Sequence, residues 1–219
     1  MNAVPLSLEH LIQPNTVPSD TPPVLFMLHG YGSNEEDLFS FATELPAELF
    51  IISVRAPYPL EPFGHAWYAI NFDAAFGKWN DDQQAIESRG KIVTFIDEAC
   101  RAYGVDKTNV TLLGFSQGTI LSYAVALSYP EKVKNVIALS GYINEGILKE
   151  DHERKDCSHL SIYASHGQVD QVIPVEWAQR APEFLKKKGV TYLYEEFPVG
   201  HGVAPQNFYS FKSWLEQKI

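Results

Sequence analysis

The sequence predicts one α/β domain over residues 1–219, with a mostly parallel sheet of about seven strands and helices on both faces. Three observations indicate this fold class. Short apolar segments alternate with longer helical patterns along most of the chain. The 219 residues are enough for one sizeable core but few for two. A composition of 45% apolar and 20% charged residues is typical of a globular domain.

The strands are predicted from short segments rich in apolar and β-branched residues. These segments are residues 24–28, 49–54, 109–113, 133–139, 160–164 and 190–197. A weaker pattern in the stretch that ends at Pro14 favours one more strand at an edge of the sheet. Because the strands alternate with helices, most of them should run parallel and be covered on both faces.

The helices are predicted from apolar residues at helical spacing. They are residues 34–45, 83–103, 117–129, 176–188 and 205–217. Ser33 or Asn34 is the candidate cap of the first helix. The helix from Gln117 is apolar almost all round, which indicates burial against the sheet. A proline-rich segment and an aromatic loop, residues 55–62 and 63–79, separate the second strand from the second helix.

Charge and the lack of targeting patterns narrow the function classes. The net charge of −10 disfavours nucleic acid and anionic membrane surfaces as partners. The N-terminus has no signal-peptide pattern, and no run approaches 18 consecutive apolar residues. We therefore expect a cytoplasmic protein without stable membrane insertion. In that compartment Cys100 and Cys157 should be reduced thiols rather than a disulfide.

The most informative motif is Gly114-Phe115-Ser116-Gln117-Gly118, which matches G-x-S-x-G. A predicted strand precedes it and a predicted helix follows, as that motif requires. The sharp turn exposes the serine hydroxyl at the end of the strand, and only glycine-sized neighbours leave room for it. The free amides at the start of the helix then face any negative charge that develops beside the serine. Ser116 is therefore the candidate nucleophile.

A nucleophilic serine needs a basic histidine and a carboxylate that orients it. His201 lies in a glycine-flanked loop after the last strand, and Asp170 lies just past the strand at residues 160–164. His166 also follows that strand. Chain order and position favour His201 as the base and Asp170 as the acid. The alternative for Asp170 is a turn or capping residue.

Backbone amides that stabilise an oxyanion are expected at two places. One is Gln117, directly after the serine. The other is Tyr31, because glycines flank it in a loop after the first predicted parallel strand. The alternative for that loop is a dinucleotide site, which is disfavoured because Glu35 stands where a third glycine would be. Since no metal or phosphate motif occurs either, we expect no cofactor and no metal.

The order of these motifs resembles the phospholipase/carboxylesterase family, which includes bacterial carboxylesterases and acyl-protein thioesterases. The matching segments are His29-Gly30-Tyr31-Gly32, Ala66-Trp67-Tyr68, Gly114 to Gly118, His166-Gly167-x-x-Asp170 and Gly200-His201. The resemblance implies an α/β-hydrolase fold without a large cap domain, a Ser116–His201–Asp170 triad, and hydrolysis without a metal. It also suggests a homodimer. Ser33 stands where the eukaryotic thioesterases have aspartate, which disfavours a dedicated depalmitoylating role.

The function predicted from these residues is hydrolysis of small or medium-chain carboxylic esters through an acyl-enzyme, with lysophospholipids and thioesters among the candidate substrates. Trp67, in the aromatic loop, is a candidate substrate contact, with simple packing as the alternative. Two other functions stay open. One is a serine peptidase with the same triad, and the other is a non-catalytic binding module on a hydrolase fold.

Overall fold

The computed structural model describes residues 3–73 and 77–219 and contains a seven-stranded sheet. The strands of the molecule are β1 His10–Gln13, β2 Val24–Leu28, β3 Phe50–Val54, β4 Tyr58–Pro59, β5 His65–Ala66, β6 Ile70–Asp73, β7 Gly77–Asn80, β8 Val110–Phe115, β9 Asn135–Leu139, β10 Ser161–Gly167 and β11 Thr191–Phe197. The helices are α1 Glu36–Phe39, α2 Asp82–Tyr103, α3 Gln117–Ser128, α4 Val175–Ala178, α5 Ala181–Lys187 and α6 Pro205–Glu216.

The large sheet has the order β1-β3-β2-β8-β9-β10-β11. β1 pairs antiparallel with β3, and every other pair is parallel. The predicted α/β-hydrolase sheet is confirmed, including the edge strand before Pro14. The carboxyl ends of the parallel strands lie at one edge, where side chains from successive loops can meet.

The sheet is buried on both faces because neighbouring strand residues point to opposite sides. On one face Phe26 and Leu112 belong to the core cluster that includes α2 and α3. On the other face Met27 and Leu113 belong to the cluster that includes Leu38 of α1 and residues of α6. This two-sided burial explains why the central strands read as continuous apolar runs.

Two predicted helices are interrupted. The segment predicted as helix 176–188 forms α4 and α5, because Pro182 lacks an amide donor and is tolerated only in the first turn of a helix. The segment predicted as 34–45 forms α1 and a 3₁₀ turn at Ala42–Glu44. Ser40 and Thr43 lie within it, and both are weak helix formers.

The aromatic loop predicted at residues 63–79 contains strands in the structure. β4 pairs with β5, and β6 pairs with β7 across residues 74–76, which lie outside the described residues and include Phe76. The two cysteines, Cys100 and Cys157, are buried and free. Burial raises the pKa of the Cys100 thiol to about 11.

Helix α3 begins in direct contact with the backbone at the end of β2. A Cβ atom on Gly118 would lie 1.9 Å from the carbonyl oxygen of Leu28, and one on Gly114 would lie 2.5 Å from the carbonyl oxygen of Gly118. Neither position accepts a side chain without a backbone shift. The two glycines therefore set the distance between β8, α3 and the end of β2.

We predict that Gly118→Ala lowers the free energy of unfolding by at least about 2 kcal/mol, because the added methyl group overlaps backbone atoms that cannot rotate away. Gly90→Ala is the matched control, since Gly90 lies inside α2 and a Cβ atom there meets no atom within 4 Å. That change should raise the free energy of unfolding by about 0.5–1 kcal/mol. Denaturant unfolding of both variants tests the prediction, and equal stabilities would contradict it.

Candidate active site

Ser116 occupies the turn between β8 and α3. Its backbone has φ 54° and ψ −115°, a conformation that non-glycine residues rarely adopt. The amide of Ser116 donates to the carbonyl of Leu139 at the end of the neighbouring strand, at 2.9 Å. The side chain is 8% exposed and lines a cavity. The strained turn thus presents the hydroxyl to the cavity while the surrounding sheet holds the backbone.

Three side chains from separate loops form one hydrogen-bonded chain. Nε2 of His201 lies 2.9 Å from Oγ of Ser116, and Nδ1 of His201 lies 2.7 Å from Oδ2 of Asp170. Because an ionised carboxylate only accepts hydrogen bonds, Nδ1 of His201 carries the proton. Nε2 then accepts from the serine hydroxyl. The structure brings together the three residues that the sequence predicted as nucleophile, base and acid.

The loops that carry Asp170 and His201 are packed against each other. A Cβ atom on Gly167, at the end of β10, would lie 2.2 Å from the carbonyl oxygen of Gly200. The amide of Val169 donates to the carbonyl of Val199 at 3.2 Å. This close backbone contact fixes the separation of the acid and the base.

Asp170 is held in its ionised form. Its Oδ1 accepts hydrogen bonds from the amides of Val172 and Ile173 at 2.8 and 2.9 Å. Burial opposes ionisation, but the hydrogen bonds from His201 and from these two amides outweigh it, so the pKa of Asp170 lies below its usual value. A charged carboxylate stabilises the positive charge that His201 acquires on taking a proton.

The amides of Tyr31 and Gln117 belong to residues that line the same cavity as Ser116. Within the described part of the chain, neither amide donates to another group. The loop that carries Tyr31 is fixed by two bonds to the β4–β5 hairpin. The amide of Gly32 donates to the carbonyl of His65 at 2.9 Å, and the amide of His65 donates to the carbonyl of Ser33 at 2.8 Å. The amides of Tyr31 and Gln117 are consequently available to a ligand beside Ser116.

The side chain of His29 supports the loop that carries Tyr31. Its buried ring donates from Nδ1 to the carbonyl of Gly30 at 2.7 Å and accepts at Nε2 from the amide of Ala56 at 3.0 Å. Burial lowers the pKa of His29 and outweighs the neighbouring groups that would raise it. The neutral ring therefore joins the ends of β2 and β3 without adding a charge to the site.

The structure does not bring Trp67 to the cavity. Its side chain is fully buried, and its indole N–H donates to the carbonyl of His29 at 2.9 Å. Its neighbour Tyr68 lines the cavity instead. This placement supports the alternative role of Trp67, which is packing in the core.

The side chain of Gln117 has a structural role that no sequence pattern predicts. Its Oε1 accepts from the amide of Trp67 at 2.8 Å, and its Nε2 donates to the carbonyl of Tyr68 at 2.8 Å. Ser88 of α2 also donates to the carbonyl of Trp67. Gln117, the first residue of α3, thereby links the aromatic loop to the turn at Ser116. No local sequence pattern signals a contact between residues this far apart.

The cavity beside Ser116 has a volume of about 610 Å³ and is mainly apolar. Its wall includes residues of α3, of the loop after β10 and of α4, among them Ile120, Val172, Ile173 and Trp177. Such a volume falls in the range of small-molecule sites. The site can therefore accept an apolar group next to the serine hydroxyl.

The described residues contain neither a cluster suited to a metal ion nor a helix suited to a membrane. No group of three or more histidine, cysteine, aspartate or glutamate side chains is arranged there to hold a metal ion. Over the same residues, no helix has the length and apolar character needed to span a membrane.

The parallel sheet and the turn at Ser116 define an α/β-hydrolase. A family model described as phospholipase/carboxylesterase matches residues 12–219, so the chain belongs to that family. This confirms the resemblance seen in the motifs. The description of that family names phospholipases and carboxylesterases.

The relatives differ in how much of their length is matched. Acyl-protein thioesterase 1 of Cryptococcus neoformans is 28% identical, and the match covers 99% of this chain and 100% of the relative. The probable carboxylesterase SOBER1-like of Arabidopsis thaliana is 30% identical over 158 residues, which cover 70% of this chain and 59% of the relative. The chain spans 58% of the length of a probable carboxylesterase of Oryza sativa, 59% of that SOBER1-like relative and 61% of the carboxylesterase SOBER1 of Arabidopsis thaliana.

Solved structures share the fold across nearly the whole chain. A carboxylesterase of Bacillus cereus has a TM-score of 0.83 at 20% identity, and the match covers 97% of this chain and 95% of that one. A carboxylesterase of Mesorhizobium loti has a TM-score of 0.83 at 19% identity, covering 99% and 98%. At these identities the match establishes the common architecture.

We predict that Gln117→Ala lowers the free energy of unfolding by about 2–6 kcal/mol, since it leaves two buried groups unpaired and each costs about 1–3 kcal/mol. Gln84→Ala is the control, because the half-buried side chain of Gln84 also accepts from an amide of the aromatic loop, that of Ala69, and among the described residues it makes that one bond. That variant should lose about 1 kcal/mol. Equal losses in denaturant unfolding would contradict the assigned role.

Proposed function

We propose that this protein hydrolyses carboxylic esters and thioesters through an acyl-enzyme on Ser116. The observation that carries the proposal is the hydrogen-bonded chain from Asp170 through His201 to Oγ of Ser116, at 2.7 and 2.9 Å. A free serine hydroxyl is a weak nucleophile, and a base within hydrogen-bond reach is what activates it.

In the first half-reaction Oγ of Ser116 attacks the acyl carbonyl carbon as Nε2 of His201 takes its proton. Asp170 keeps the imidazole in the correct tautomer and stabilises its positive charge. His201 then gives the proton to the leaving alcohol or thiol. In the second half-reaction His201 deprotonates a water molecule, which attacks the acyl-serine. The bond between the acyl carbon and Oγ of Ser116 then breaks, His201 returns the proton to Oγ, and the acid is released.

The tetrahedral intermediates place negative charge on the former carbonyl oxygen. We assign the amides of Tyr31 and Gln117 as the donors that stabilise it, because both border the cavity at Ser116 and are free of other acceptors in the described part of the chain. Each such donor contributes about 3 kcal/mol to lowering the barrier. The start of α3 adds the positive end of its dipole.

The cavity supports an apolar acyl group of small or medium length. Its lining is mainly apolar, and its volume of about 610 Å³ can enclose a chain of several methylene groups. In place of Trp67, we propose Trp177 and Val172 as the acyl contacts, since both line the cavity and remain partly exposed. The same site also suits thioesters as substrates, because a thiolate is a better leaving group than an alkoxide.

The two rival functions differ in what supports them. A serine peptidase would use the same triad, and a panel of matched esters and peptides separates the two. A binding module would have no need for three side chains within hydrogen-bond reach of each other, so their alignment argues against it. The cytoplasmic location and the homodimer stay predictions.

We predict that Ser116→Ala abolishes covalent labelling by a fluorophosphonate probe, because the probe reacts with an activated serine oxygen. Ser213→Ala is the control, since Ser213 is exposed on α6. It should be labelled at the wild-type rate. Labelling of Ser116→Ala, followed by gel fluorescence and mass spectrometry, would remove Ser116 as the nucleophile.

We predict that substitution of Trp67 affects stability, whereas substitution of Trp177 affects substrate preference. Trp67→Ala should lower the free energy of unfolding by about 3–5 kcal/mol, because it leaves a cavity in the core. Trp177→Ala should change it by less than about 1 kcal/mol, because the indole is 43% exposed. Instead, Trp177→Ala should lower kcat/KM for p-nitrophenyl octanoate about 5- to 10-fold and leave the acetate nearly unchanged, since only the longer chain reaches it.

Thermal unfolding and ester kinetics on both variants separate these roles. A stable Trp67→Ala protein with altered chain-length preference would restore Trp67 as the substrate contact.

A further inference from the structure

The acid of the triad has a second histidine beside it. Nε2 of His166 lies 3.2 Å from Oδ2 of Asp170, the same oxygen that accepts from His201. The side chains of His166 and Asp170 both have 0% exposure. His166 belongs to β10, whereas Asp170 lies in the loop that follows, so the contact joins the loop to the rigid sheet.

The hydrogen-bond partners of His166 fix its tautomer. Nε2 also lies 2.8 Å from the carbonyl oxygen of Ile173, and a carbonyl can only accept. Nε2 therefore carries the proton and donates it to Ile173, and Oδ2 of Asp170 lies 3.2 Å from the same nitrogen. The other nitrogen, Nδ1, is buried and has no hydrogen-bond partner among residues 3–73 and 77–219. A proton on Nδ1 would leave a buried donor unpaired, so the ring is neutral in this arrangement.

We propose that His166 is a positioning residue that holds Asp170 in the orientation required by His201. This inference rests on the proposed triad. The amides of Val172 and Ile173 fix Oδ1, and the N–H of His166 holds the loop that carries these two amides through the carbonyl of Ile173. The same N–H lies 3.2 Å from Oδ2, so its positive end faces that oxygen. Together these contacts resist rotation of the carboxylate about the Cβ–Cγ bond.

The same N–H also closes the loop that carries the acid. It joins β10 to the carbonyl of Ile173, and Ile173 and Val172 are part of the cavity wall. Loss of this donor would leave the buried carbonyl of Ile173 without its hydrogen bond and would remove the positive end of the N–H from beside Oδ2. His166 therefore acts on the reaction through Asp170 and its loop, without touching the substrate.

Two amide substitutions separate this role from simple filling of space. His166→Gln places an amide nitrogen three bonds from Cβ, as Nε2 is, so it can still reach Oδ2 and Ile173. His166→Asn places its amide nitrogen only two bonds from Cβ, and it falls short. Both variants bury a similar amide, so their difference reports the hydrogen bond.

The measured quantity is the second-order rate constant for phosphonylation of Ser116 by a small fluorophosphonate, with kcat and KM for p-nitrophenyl butyrate. We expect His166→Asn to slow phosphonylation and kcat by about 10-fold or more, because Asp170 and its loop lose a buried N–H donor, with little change in KM. His166→Gln should recover most of that loss. His159→Asn is the control, because His159 also bonds a carbonyl, that of Pro130, at the opposite end of β10. It should keep the wild-type rate.

A double-mutant cycle identifies the residue through which His166 acts. In an Asp170→Ala background, His166→Asn should slow phosphonylation by less than about twofold, because the group that it positions is already gone. A full 10-fold effect in that background, or wild-type rates for His166→Asn alone, would overturn the proposal. If His166→Asn does not fold, a His166→Gln protein as slow as Asp170→Ala would overturn it as well, since its donor is retained.

Failure of the triad itself is distinguishable from failure of this inference. Labelling of Ser116→Ala would contradict the proposed function, whatever His166 does. An unlabelled Ser116→Ala protein together with a fast His166→Asn protein would contradict the role of His166 alone.

Discussion

The site depends on one close backbone contact, between the first turn of α3 and the end of β2. Gly118 has room only for a hydrogen atom in front of the carbonyl of Leu28, and Gly114 is crowded by Gly118 in turn. Because the helix approaches the sheet this closely, the chain between them turns at Ser116 with a positive φ. The core on both faces of the sheet supplies the stability that sustains this strained residue.

The remaining parts of the site are joined to that turn by hydrogen bonds between distant segments. The side chain of Gln117 holds the aromatic segment, and the β4–β5 hairpin holds the loop of Tyr31. On the other side, the close approach of Gly167 to Gly200 sets the loops of Asp170 and His201. The groups around Ser116 are therefore fixed before a substrate enters, which is what electrostatic stabilisation of a transition state requires.

Much of this arrangement could be predicted from local patterns. Apolar runs predicted the sheet, and the motif at Gly114 to Gly118 predicted the strand–turn–helix around Ser116, because both depend on neighbouring residues. Contacts between distant segments could not be predicted in this way. The burial of Trp67, the bonds of the Gln117 side chain and the place of His166 beside Asp170 depend on how loops pack in three dimensions. The break at Pro182 is the exception, since the proline itself gives a local signal for it.

The most direct test of the catalytic arrangement is a crystal structure of the protein after reaction with a fluorophosphonate. We predict a phosphorus–oxygen bond to Oγ of Ser116, with the phosphoryl oxygen within hydrogen-bond distance of the amides of Tyr31 and Gln117. The alkyl group should lie in the apolar cavity beside Val172 and Trp177. An adduct on another residue, or a phosphoryl oxygen directed away from both amides, would contradict the proposed catalytic arrangement.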